Sequence, residues 1–69
     1  MANRFTFKFV VHYQPKPGEI EKWGTLIELP TNRRKMASMI GWVRFIDEVE
    51  HENVVFGDLK LVKQEKLDA

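Results

Sequence analysis

The sequence contains no cysteine. Disulfides, thiolate nucleophiles and cysteine-based zinc sites are excluded, and the absence fits a reducing compartment such as the cytosol. An excess of charge of either sign is also missing: 11 lysines and arginines stand against 10 aspartates and glutamates, for a formal net charge of +1. With no overall field to draw the chain to nucleic acid or to an acidic membrane, any electrostatic targeting is local. Long apolar runs are lacking too. None approaches the ~20 residues that cross a bilayer. The opening Met1-Ala2-Asn3-Arg4-Phe5 has neither the apolar stretch nor the small-residue cleavage site of a secretory signal. These absences point to a soluble cytoplasmic protein with no membrane partner.

Histidine is scarce. His12 and His51 are the only two, far apart and without a His-x-x-x-His spacing, so no zinc site is expected, nor any other cofactor. The acidic run Asp47, Glu48, Glu50 and Glu52 lacks the alternating ligands and central glycine of a calcium loop. No nucleophile motif or phosphate-binding glycine loop is present. His51 beside Glu48 or Glu50 is the one acid–base pair on offer. A domain with so little interior to enclose a small-molecule substrate reads as non-catalytic. At 69 residues the chain forms one domain, 1–69, that buries only about 60% of the surface its unfolded chain exposes. Domains of this size often lean on disulfides, a metal or a partner. With the first two set aside, a partner is the most economical supplement.

What is present is a strong period of two. Phe5, Phe7, Phe9, Val11 and Tyr13 alternate with Thr6, Lys8, Val10, His12 and Gln14, which marks a strand over 4–14 with one dry face and one wet face. Pro15, Pro17 and Gly18 end it, and the short loop favours an antiparallel hairpin. A second strand follows over 19–29, with Trp23, Thr25, Ile27 and Leu29 on one parity, Ile20 and Leu26 on the other, and Gly24 inside it; Pro30 stops it. Thr31 or Asn32 then offers a helix cap. Met36, Met39, Ile40, Val43 and Ile46 recur at spacings of three and four, which predicts a helix over 32–50 whose apolar side meets the phenylalanine face of the first strand. Trp42 lies at the margin of that side. A last strand is predicted over 54–63, followed by a polar tail, 64–69, that frays.

The fold class is therefore α+β: a small antiparallel sheet of three strands with one helix packed on one face, in the order β-β-α-β. Two features favour an alternative, a mostly-β fold of four strands with a short helix at 32–41. Gly41 costs a helix about 1 kcal/mol relative to alanine. The charges also oppose the helix dipole, with Arg33, Arg34 and Lys35 at the positive end and Asp47, Glu48 and Glu50 at the negative end.

The same charges carry the functional expectation. Basic and acidic clusters at opposite ends of one element suit an antiparallel contact between two copies, that is, a twofold homodimer. The chain reads as a small non-catalytic protein-binding module or regulator, acting as a homodimer. Its partner-binding residues are Trp42, Arg33, Arg34, Lys35, Glu48 and Glu50, with the sheet face that the helix leaves uncovered as a further contact. The alternative is a nucleic-acid-binding module using Lys8, Arg33, Arg34, Lys35 and Arg44. The phenylalanine ladder itself is a core face rather than a base-stacking platform, because Val11 and Tyr13 continue its parity and polar residues fill the gaps.

Overall fold

A computed structural model describes residues 2–49 and 53–67. The phenylalanine ladder lies on β1, Ala2–Lys16, and is the core: Phe5, Phe7, Phe9 and Val11 are buried and Tyr13 is half-buried. Gly18, at φ 81° in the turn, lets the chain reverse into β2, Glu19–Leu29. After a crossover helix α1, Arg34–Val49, the chain returns as β3, Val54–Leu67. The sheet order is β2-β1-β3, with β1 antiparallel to both neighbours. Phe7 lies between Ile27 and Leu61, and Phe9 between Thr25 and Leu59, so the core face continues across all three strands. The α+β architecture in β-β-α-β order is thus the observed one.

Three local expectations are corrected. Residues 42–49 are helix, so the four-strand alternative does not form. The helix starts later than the caps proposed for it: Arg33 takes the cap position, its carbonyl accepting the first bond from the Ala37 amide at 3.0 Å. The tail expected at 64–69 is strand as far as Leu67. Ala2, Asn3 and Arg4 pair there with Leu67, Lys66 and Glu65, and Arg4 grips Glu65 at 3.0 Å. An edge strand has one face and one edge in water, so polar side chains do not bar it from the ladder.

The larger correction concerns which way the helix faces. Ala37, Gly41 and Phe45 point into the core, with Ile40, Trp42 and Val49 at its margins. Met36, Met39, Val43 and Ile46, expected to cover β1, point outward. The reason is volume. β1 already fills the interior with three phenyl rings, so the helix must offer small residues to approach them. A Cβ on Gly41 would lie 2.5 Å from Phe9 Cγ, inside van der Waals contact. Phe45 then fills the far end, edge-on to Tyr13 and Trp23 with ring centroids 5.5 Å away in each case.

Candidate protein-binding surface

The outward side of α1 is built from four large apolar residues at spacings of three, four and three. Met39 is 67% exposed, Val43 65%, Ile46 61% and Met36 42%. That spacing is the a/d seam of a coiled coil, the pattern with which one helix meets another. Ile40 and Arg44 complete a shallow apolar depression of about 450 Å³ with Met36, Met39 and Val43. Single exposed apolar side chains are ordinary on a protein surface, whereas a contiguous apolar patch marks an interaction site.

Charge brackets this stripe. Arg33, Arg34 and Lys35 are exposed at the start of α1, and Asp47 and Glu48 at its end. The first turn holds no acidic residue and the last turn no basic one, so both ends oppose the helix dipole. Glu50 and His51 lie outside the described residues, and the acid–base pair they would form lies there with them.

Two of the nominated arginines are committed within the fold. Arg34 Nη2 donates to the Leu59 carbonyl on β3 at 3.0 Å. Arg44 Nη1 donates to the Leu26 carbonyl on β2 at 2.8 Å and to Thr25 Oγ1 at 3.2 Å. The helix is thereby tied to both edge strands, one on each flank. Trp42 is half-buried. Its ring stands edge-on to Phe9, with centroids 5.0 Å apart, and lies over Gly57, where a Cβ would come within 2.6 Å of Cζ2. It seals the seam between α1 and β3. Lys8 sits on the opposite side of the sheet from α1, the side away from the phenylalanines. The proposed basic residues therefore do not share one surface: Arg33, Arg34 and Lys35 are together, Lys8 is remote and Arg44 is engaged with β2.

The stripe is visible in the sequence, where its spacing predicts a core face. Ala37, Gly41 and Phe45, four residues apart, form a second helical row, and the two small members were the sign that this row takes the close approach.

No family model, no curated protein and no solved structure matches the chain. Within the described residues, no helix is long and apolar enough to cross a membrane.

Proposed function

We propose that the protein is a small non-catalytic protein-binding module or regulator of the cytoplasm, acting as a homodimer through the outward side of α1. The observation that carries this reading is the exposed Met36-Met39-Val43-Ile46 seam. In an antiparallel pairing Met36 of one copy meets Ile46 of the other, and Met39 meets Val43. The basic start of each helix then lies beside the acidic end of the other. That contact turns the reversed end charges from a cost into an attraction. Four side chains exposed to this degree hide on the order of 500 Å² per copy, below the ~800 Å² of a standard interface, so the pairing is expected to be of the weak, reversible kind.

The test is mass in solution over a dilution series. The wild type is expected to pass from dimer to monomer within that series, and Met39→Glu with Val43→Glu to stay monomeric and folded throughout. A wild-type chain that remains monomeric at the highest soluble concentration would remove the homodimer.

A further inference from the structure

The side of the sheet that faces away from α1 divides into two unlike halves. Its cross-strand rows are Glu28-Thr6-Lys63, Leu26-Lys8-Lys60, Gly24-Val10-Asp58 and Lys22-His12-Phe56. At one end the charges satisfy each other. Arg4 pairs with Glu65 at 3.0 Å and with Glu28 at 3.8 Å, and Lys63 reaches Glu65 at 3.4 Å. At the other end they do not. Lys8, Lys22 and Lys60 form no ion pair with another described residue, and Asp58 is the one carboxylate among them. Lys8 and Lys60 are directly opposite on adjacent strands, an arrangement that is unfavourable until something negative lies between them.

This half also has shape and a flat apolar element. Gly24 contributes no side chain, so a hollow of about 390 Å³ opens over Val10, bordered by Lys8, His12, Lys22 and Asp58. Phe56 is exposed beside it and stacks on His12, with centroids 4.1 Å apart and an interplanar angle of 17°. The row of Lys8 and Lys60 is four residues along β1 from the row of Lys22. That is a span of about 13 Å at ~3.3 Å per residue, so a ligand touching both rows is an extended polyanion rather than a single ion.

We infer that this half of the open sheet face binds a short stretch of single-stranded nucleic acid, with Lys8, Lys60 and Lys22 on phosphates and a base stacked on the face of Phe56 that His12 leaves free. The aromatic ring separates this ligand from an acidic peptide, which would use the lysines and leave the ring idle. It also separates a single strand from a duplex, whose bases are already stacked on one another. The surface differs from the basic helix start nominated from sequence. It is also independent of the proposed dimer, since pairing through α1 leaves both open sheet faces outward.

The experiment is a fluorescence-anisotropy titration of a labelled oligothymidylate by the full chain. Runs at rising salt, with an unlabelled duplex and a polyglutamate peptide as competitors, complete it. With three phosphate contacts the logarithm of affinity should fall against the logarithm of salt with a slope of about −2, from ~0.7 per contact on single strands. Lys8→Glu should weaken binding tenfold or more and flatten the slope. That variant places opposite charges across the two strands, so it should be at least as stable as wild type, which separates loss of the site from loss of the fold. Phe56→Ala should weaken binding several-fold and leave the slope unchanged. Met39→Glu with Val43→Glu should leave affinity per chain unaltered, so failure of the dimer and failure of this site are told apart. The inference is overturned by undetectable binding at low salt, by affinity that Lys8→Glu does not change, by a duplex binding more tightly than the single strand, or by polyglutamate competing equally well while Phe56→Ala has no effect.

Discussion

Glu65 illustrates how one side chain ties an edge strand to its neighbour. It accepts from Arg4 at 3.0 Å and lies 3.4 Å from Lys63. The hydrogen bond from the Arg4 guanidinium holds its carboxyl below the ordinary 4.5; burial opposes that shift, and Lys63 adds to it. The folded protein therefore takes up that proton less readily than the unfolded chain. The resulting stabilisation is complete above the ordinary value and is lost as pH falls through the lower folded-state value. The urea midpoint of the wild type is expected to drop more steeply on acidification from about pH 5 to pH 3 than that of Glu65→Gln. Parallel curves for the two proteins would show that the pairing adds nothing. Neither this pair nor the strand end it secures was legible in the sequence, where 64–69 is a mostly polar stretch without alternation. Arg4 and Glu65 stand sixty-one residues apart, and no local pattern connects them.

At the scale of elements, boundaries marked by backbone chemistry were legible. β2 runs from Glu19 to Leu29, as Gly18 and Pro30 dictate. The helix was legible by its period, but not by its direction. Two rows of α1 are suited to burial, and sequence rules favour the one with the larger side chains. The interior selects the other, because three phenyl rings on β1 leave room only for Ala37 and Gly41. Gly41, which argues against a helix in isolation, is what lets this one dock. Gly41→Ala tests the point with a sign that propensity alone would predict wrongly. In a solvated helix the change gains up to about 1 kcal/mol. Here the new methyl meets the near end of the Phe9 ring, which is itself buried beneath Trp42 and cannot swing aside. Overpacking of this kind costs typically ~1–3 kcal/mol, so chemical denaturation should show net destabilisation. A more stable variant would mean that the helix stands off the sheet.

The whole molecule is long and thin, 50 × 18 × 16 Å, with a radius of gyration of 13.9 Å. A compact chain of this length would have about 11 Å. Such a shape keeps much of its surface in water, the apolar seam of α1 included. The charge clusters at the ends of α1 were legible as ends, and their bearing on orientation can be tested without touching the seam. Consider the fourfold variant Arg33→Glu, Lys35→Glu, Asp47→Lys and Glu48→Lys, which spares Arg34 and its bond to Leu59. If the helices pair antiparallel, this variant should self-associate as well as the wild type and refuse to mix with it. Parallel pairing predicts the reverse, a preferred mixed dimer. Native mass spectrometry of the two chains, distinguished by isotope label, reads the difference directly. The exchanged charges also suit the helix dipole, so the variant should not fail for want of folding.

The central position of β1 has a consequence for how the molecule is made. One neighbour follows it after a tight turn and can zip up within roughly microseconds. The other is the last of the described strands to leave the ribosome. At about 5–20 residues per second of synthesis, the aromatic strand waits for seconds with one flank bare. A nascent chain stalled before Val54 is thus the form most exposed to aggregation, and the one a chaperone would be expected to hold.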